Sequence, residues 1–415
     1  MIENRRVVVT GLGVVAANGT GPDEFWDSNV NGTSGVAKIT RFDISNFKTQ
    51  SAAEVKDFDP RKFMPEKTAK SVDRFVHFGI ASSKMALENS MIALDKEDRE
   101  RIGVIIGSGL GGTLFHEEQI IASINRGGAH RSDPSGVVRT TPNAVSAHIA
   151  IQNGLLGPNL VISTACASGN HAIGEAFRKI QNNEADIIFA GGSEAPLTEF
   201  TFGAFYAMRV LSRRQCQPQE ISRPFDNNRD GFVMGEGGAV LIVEELDHAL
   251  KRKAHIYCEI AGYGLTSGAY HMALPEPDGE DAARAMRLAL KDSGLRPEDV
   301  GYINSHGTST RANDIAETKA IKKVFGDYAY KVPVSSTKSM IGHAIGAAPA
   351  MEAVVCCLAL EHQVIPPTIN YQLPDPECDL DYVPNKAKNA RFDAVLSNAF
   401  GFGSVSACLL FKKYQ

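Results

Sequence analysis

Short apolar runs of strand length alternate along the chain with longer stretches in which apolar residues recur every three to four positions. Residues 6–10, 102–108, 160–163, 186–190 and 239–244 read as strands, and 72–89 and 172–182 as amphipathic helices. A second set repeats the theme, with strands at 256–262, 300–304, 332–335, 394–397 and 406–411 and helices at 279–293, 314–325 and 347–362. Alternation at this spacing predicts an α/β protein with largely parallel strands. Two correspondences predict an internal duplication: residues 102–113 resemble 300–310, and the strand entering Cys166 resembles the strand entering Ser335. The seam is expected at Lys253–Ala254, dividing the chain into halves 1–252 and 253–415.

Composition narrows the class. The 415 residues are 43% hydrophobic and 22% charged, with a net charge of −5 and Lys and Arg spread throughout, so neither a nucleic-acid footprint nor a polybasic membrane segment is expected. The seven cysteines, at 166, 216, 258, 356, 357, 378 and 408, are odd in number and lack C-x-x-C spacing, which argues against a disulfide framework or a zinc site. A reducing cytoplasm is the matching expectation. The first residues show no signal-peptide pattern, and no apolar run is expected to span a membrane.

Chemistry concentrates at a few junctions. Cys166 stands where a strand gives way to a helical pattern, among the small residues Thr164, Ala165, Ala167, Ser168 and Gly169. A thiol at the first turn of a helix is expected to favour thiolate; a buried structural cysteine is the alternative. Gly107-Ser108-Gly109-Leu110-Gly111-Gly112 fits G-x-G-x-x-G after a strand, but no acidic residue ends a following strand at the required distance. Tight packing explains those glycines better than a dinucleotide. His306 follows a strand among Gly307, Thr308, Ser309 and Thr310, and His343 precedes an alanine-rich helix with Lys338 and Glu352 nearby. Under the duplication, Cys166 and His343 fall at related strand-to-helix junctions, and one pocket could hold all three side chains.

Four motifs together carry a family resemblance: Thr164-Ala165-Cys166-Ala167-Ser168-Gly169, His306-Gly307-Thr308-Ser309-Thr310, Ser336-Thr337-Lys338-Ser339-Met340-Ile341-Gly342-His343, and Asn398-Ala399-Phe400-Gly401-Phe402-Gly403. With residues 229–236 and 366–370, they make the chain similar throughout to the β-ketoacyl-ACP synthases, and most similar to the bacterial elongating type II enzymes. The resemblance implies a thiolase-like fold with duplicated halves in five α-β-α-β-α layers. It also implies decarboxylative Claisen condensation of malonyl-ACP with an acyl chain held on Cys166. By the same resemblance His306 and His343 stabilise the enolate and Lys338 supports them. Backbone N–H groups of Cys166 and Phe402 form the oxyanion hole, with Phe402 as gate. Glu352 and Phe400 are structural neighbours, Thr308 and Thr310 bind the pantetheine arm, and Leu110, Phe202 and Phe205 shape the acyl pocket. Lys67, Lys70 and Arg209 match positions that dock the acidic acyl carrier protein, with Arg213 and Arg214 close in sequence. No cofactor is implied beyond substrates carried on phosphopantetheine, although a structural monovalent cation is compatible. Two histidines beside the cysteine separate elongating enzymes from initiating synthases (Cys-His-Asn) and thiolases (Cys-His-Cys).

Three departures mark this sequence. The tail continues Gly403-Ser404-Val405-Ser406 where Gly-Gly-Thr-Asn is usual, Gly268 stands where an aspartate is common, and bulky Phe202 and Tyr206 occupy positions where smaller residues are frequent. They hint at a specialised polyketide or polyene synthase. A homodimer is expected, with a heterodimer beside a chain-length-factor-like subunit, or a non-condensing carrier-binding subunit, as rivals.

Overall fold

The computed structural model describes residues 5–414; the N-terminal residues 1–4, read above for targeting signals, lie outside the described residues. Ten principal strands form one mixed sheet: β1 (Val7–Ala16), β2 (Ile102–Gly107), β3 (Asn159–Ile162), β4 (Ile187–Glu194), β5 (Gly237–Glu245), β6 (Cys258–Ser267), β7 (Tyr302–Asn304), β8 (Val334–Ser335), β9 (Ala394–Gly401) and β10 (Val405–Lys412). Their order is β8-β7-β9-β10-β6-β1-β5-β4-β2-β3. From the centre outward it runs 1-5-4-2-3 on one side and 6-10-9-7-8 on the other, the same path twice. β2 and β7 hold equivalent places, as do β3 and β8, and these are the strands whose sequences resemble one another. The two paths meet through the register pairs Val8 with Glu259 and Val9 with Cys258.

Parallel pairing is confined to the outer strands of each path; β1–β5, β5–β4, β6–β10 and β10–β9 are antiparallel. The expectation of largely parallel strands therefore holds only at the ends of the sheet. For β9 and β10 the reason is local: Phe402-Gly403-Ser404 joins them directly, too short for a parallel crossover.

Five helices build the layers: α1 (Arg74–Ser90), α2 (Ser168–Gln181), α3 (Glu280–Ser293), α4 (Arg311–Phe325) and α5 (Ala348–His362). α1 covers β1, β5 and β4 on one outer face, and α3 covers β6 and β10 on the other with α4 beside it. α2 and α5 pack on each other between the two strand sets, completing the five layers. Every residue of α5 from Ala348 to Leu360 is buried. By length and composition the stretch Ile345–His362 could cross a membrane, correcting the expectation that no run reaches that size, yet 89% of it is buried inside the protein. It is a core helix.

The predicted first strand stops at Thr10, whereas β1 continues to Ala16. Gly11 and Gly13 within it let α1 approach the sheet: a Cβ on Gly13 would lie 2.0 Å from the Ser82 carbonyl oxygen, and one on Gly11 2.4 Å from that of Ala86. Asp73 caps α1 by accepting the Phe75 N–H, fixing its start two residues later than predicted.

Candidate active site

The cysteine sits on a tight turn between β3 and α2. Residues Ala165–Ala167 form a 3-10 turn, entered through Ala165 at φ 49°, a left-handed value uncommon for a residue with a side chain. Ser168 holds the turn, donating to the Ala165 carbonyl (2.7 Å) and accepting the Thr164 N–H (2.9 Å). α2 then begins at Ser168, four residues earlier than predicted. The other half repeats the device, with Ile345 at φ 45°, a 3-10 turn Ile345–Ala347 and α5 from Ala348. Gly346 is thus the counterpart of Cys166, and His343 lies three residues before it rather than at the equivalent position.

His306 leaves the end of β7 on a loop clamped from below. Glu317 of α4, fully buried, accepts the backbone N–H groups of His306 and Gly307 (both 2.8 Å) and the Asn398 side-chain amide (3.1 Å). His343 follows the short helix Lys338–Ile341 and is pinned by its N–H to the Val233 carbonyl (2.7 Å). The imidazoles meet edge to face at 5.5 Å, with Phe400 5.5 Å from His306 and Phe232 5.2 Å from His343. In both rings Nδ1 is buried without a partner among the described residues. Nε2 is neither bonded nor sealed off, so it is the atom each ring offers to the cavity.

That cavity, about 140 Å³, is lined by Cys166, His306, His343, Phe205, Phe402 and Thr308, among others. The backbone N–H groups of Phe402 and of Cys166 itself converge on the sulfur. Thr308 and Thr310 hydroxyls bond each other at 2.8 Å on its wall. Lys338 and Glu352 form a fully buried ion pair outside the lining. Glu352 Oε2 has no hydrogen-bond partner among the described residues.

Electrostatics reverse one sequence expectation. Burial pushes the Cys166 thiol up to about 12, outweighing Lys338 and the two N–H groups, so the resting nucleophile is a neutral thiol and not a thiolate. Burial, then Lys338, holds both histidines well below the usual imidazole range, which keeps them neutral. Burial also raises Glu194, Glu317 and Glu352 to about 7 each.

Other anticipated residues are distributed differently. Leu110 does not line the cavity; its N–H and that of Gly109 bind the Glu194 carboxylate (3.0 and 2.6 Å), which also accepts from Gly346 (3.1 Å). The glycine-rich loop thus spends its donors on a buried glutamate that links both halves. Phe202 is also set back from the cavity, packed among Phe42 and Phe47 at 5.5 and 5.4 Å, whereas Phe205 lines it and stacks on Phe402 at 6.4 Å. Lys67 and Lys70 are exposed on the short helix Glu66–Ser71, Lys70 paired with Glu66 at 2.6 Å. Arg209 is exposed next to Val210, which lines the cavity.

The departures have structural counterparts. A Cβ on Gly268 would come 2.5 Å from Ser404 Oγ and 2.9 Å from Asp281 Cβ, so those side chains fill the space an aspartate would need. Three bonds tie this loop to the turn after Phe402: Gly268 N–H to Ser404 O (2.6 Å), Tyr270 N–H to Ser404 Oγ (3.3 Å) and Gly403 N–H to Met272 O (2.8 Å). His271, on the same loop, accepts the Ala273 and Leu274 N–H groups at Nδ1 (3.0 and 3.1 Å) and lines the cavity. Glu194, Glu317 and His271 escaped the sequence reading. An acid ending the apolar strand β4, and acids at 314 and 317 on the buried face of α4, were the available signals for the two glutamates.

Comparison with known proteins agrees with this geometry. Residues 4–249 match the family model described as Beta-ketoacyl synthase, N-terminal domain, and residues 257–372 match Beta-ketoacyl synthase, C-terminal domain. The chain is 47% identical over 414 residues to 3-oxoacyl-[acyl-carrier-protein] synthase 2 of Synechocystis sp., covering 100% of this chain and 99% of that one. The Staphylococcus aureus protein of the same name is 41% identical over 415 residues, covering all of both chains. Among solved structures, a type II PKS acyl-carrier protein in complex with its ketosynthase bound to the hexaketide superposes with a TM-score of 0.93 at 37% identity, and the ishigamide ketosynthase/chain length factor with 0.93 at 34%, each covering 100% of both chains. With both halves of the family model matched and the similarity running end to end, the chain belongs to the β-ketoacyl synthase family.

Proposed function

We propose that the protein is an elongating β-ketoacyl-ACP synthase, an acyltransferase that condenses malonyl-ACP with an acyl chain held on Cys166 in fatty-acid or polyketide synthesis. The observation that carries this reading is the single cavity holding a cysteine sulfur under two backbone donors and two neutral imidazoles. In the first half-reaction Cys166 attacks the carrier thioester. Its sulfur bonds the acyl carbon, the tetrahedral oxyanion is held by the N–H groups of Cys166 and Phe402, and the pantetheine thiol departs with the proton the cysteine gives up. Because the thiol is neutral at rest, proton loss accompanies attack. In the second, malonyl thioester loses CO₂ and its bonding pair moves toward the thioester oxygen. Nε2–H groups of His306 and His343 donate to that oxygen, each worth about 2.7–4 kcal/mol by analogy with an oxyanion-hole donor. The resulting carbanion attacks the acyl carbon, and the Cys166 sulfur leaves as a thiolate that takes a proton from water to return to the resting thiol. Lys338 assists by keeping the imidazoles uncharged, since an imidazolium would surrender its proton to the enolate.

Thr308 and Thr310 would bond the pantetheine arm, and Lys67, Lys70 and Arg209 would receive the acidic carrier. The chemistry is assigned to protein groups, the three side chains and two backbone N–H donors, with no cofactor; a monovalent cation beside Glu352 would be structural. The seven free cysteines suit a cytoplasmic setting. A homodimer is supported by β3, which ends the sheet with Leu160 exposed, and by the further exposed apolar residues Ile124, Val137, Val138 and Ile151. A chain-length-factor-like partner on the same edge is the second reading, favoured by the heteromeric ketosynthases that superpose on the whole chain.

Intact-mass measurement with acyl carrier thioesters, then malonyl carrier protein, tests the proposal. A thioester adduct that requires Cys166 and is consumed as β-ketoacyl carrier protein appears is expected. An adduct that persists supports the non-condensing rival, and no adduct with any primer rejects catalysis by the isolated chain.

A further inference from the structure

Two arginines away from the cavity lack a counter-ion. Arg41 and Arg139 each have a buried Nε with no partner, and neither guanidinium lies in an ion pair among the described residues. They line one cleft of about 200 Å³, together with Arg74, His77, Asp73 and Glu118, and none of these lines the cavity at Cys166. Arg139 is held in place by stacking, its Cζ 3.7 Å from the centre of the Phe115 ring.

The nearby acids do not neutralise this pair. Asp73 spends both oxygens on backbone donors, Phe75 N–H (3.2 Å) and Phe115 N–H (2.7 Å). Glu118 is exposed and forms no ion pair among the described residues. Glu236 is taken by Arg74, through Nε at 3.0 Å and Nη2 at 2.7 Å. Glu54 is committed to Thr40, accepting its N–H at 3.0 Å and its hydroxyl at 2.8 Å. Burial and then Arg74 disfavour Arg41 as a cation, against the weaker pull of Glu236, Glu54 and Asp73. Two planar donor forks, half-buried and outside any ion pair among the described residues, match the bidentate geometry of a carboxylate or phosphate.

We propose that the cleft between Arg41 and Arg139 is an oxyanion-binding site, taking a single phosphate or carboxylate group, either free in solution or presented by an acidic side chain of the carrier protein. Bound there, the anion would accept from the free Nη atoms of both forks, with the third nitrogen of Arg74 in reach of the same cleft. Unoccupied, the site costs stability, because half-buried Arg41 stands near the Arg74 cation without an ion-pair partner of its own among the described residues.

The test titrates the full-length protein with inorganic phosphate by calorimetry and follows the thermal midpoint, for the wild type, Arg41→Gln, Arg139→Gln and the charge-retaining Arg41→Lys. Saturable binding and a phosphate-dependent rise in midpoint are expected for the wild type. Each Gln variant should bind at least about tenfold more weakly, the worth of one charge-assisted hydrogen bond. The phosphate-free midpoint should be unchanged or higher in the Gln variants, and Arg41→Lys, which keeps the charge but loses the fork, should also bind weakly. The second arm alone rests on the condensing function: KM for acyl carrier protein in phosphate-free buffer. A KM raised in the Gln variants, with phosphate competing in the wild type, assigns the carboxylate source; an unchanged KM with phosphate binding lost assigns a free anion. No saturable phosphate binding and no KM change overturns the site, whether or not the protein condenses.

Discussion

The charge state of Cys166 is open to direct measurement by raising pH in the presence of a disulfide reagent. With its pKa at about 12 rather than an ordinary 9.0, the thiol is ionised at pH 8 to about one part in 10⁴ instead of about one in ten, a loss of about 10³ in thiolate. A thiolate of higher pKa is the better nucleophile, and a Brønsted slope of about 0.4–0.5 returns about 20-fold over about three units of pKa. The net expectation is reaction about 50-fold slower than the same cysteine in the urea-unfolded chain. Restricted access would slow the reaction too, so the pH profile is the discriminating readout. Stopped-flow release of thiopyridone from dithiodipyridine, taken as the difference between wild type and Cys166→Ala, should rise about tenfold per pH unit through pH 8–10 without levelling. A plateau at or below about 9, or a rate independent of pH between 6 and 8, would refute burial as the dominant influence and restore the preformed thiolate.

Three further outcomes are expected. His343→Gln should leave acyl transfer to Cys166 near the wild-type rate and slow condensation by about 10²–10³, the effect of one oxyanion donor; equal loss in both half-reactions, read by single-turnover kinetics, would deny the division of labour. Glu194, Glu317 and Glu352 stand at about 7 in the fold against 4.5 otherwise. A raised carboxyl pKa gives stability that is full below about 4.5 and lost as pH rises through about 7, up to about 3 kcal/mol per group at neutrality. In urea melts Glu317→Gln should flatten that decline while lowering stability by about 1–3 kcal/mol, since one of the Glu317-bound N–H groups loses its acceptor; an unchanged pH slope would contradict the raised pKa. Ile124→Lys with Leu160→Lys should shift sedimentation toward the single chain if a second copy covers the β3 edge, and an unaltered profile would place the interface elsewhere.

The alternation of strand-like and helix-like periods, the duplicated strand path and the gathering of Cys166, His306 and His343 on one cavity were legible in the sequence, because each leaves a local pattern at strand ends and strand-to-helix junctions. Strand direction was not, since pairing between β1 and β5 or β10 and β6 joins segments far apart in the chain. The continuation of β1 through Gly11 and Gly13 was hidden for the same reason: what makes these glycines necessary is the backbone of α1, more than sixty residues on. The supporting carboxylates Glu194 and Glu317 carry no motif, and their purpose exists only once loops from both halves converge on them. Placement at a helix start favours a thiolate at Cys166, yet the fold removes most water from around the sulfur, and desolvation exceeds what Lys338 and two N–H groups return. Which residues take part was therefore set by short-range sequence, whereas their protonation, their partners and the displacement of Leu110 and Phe202 from the cavity were decided by burial, a property of the assembled tertiary structure.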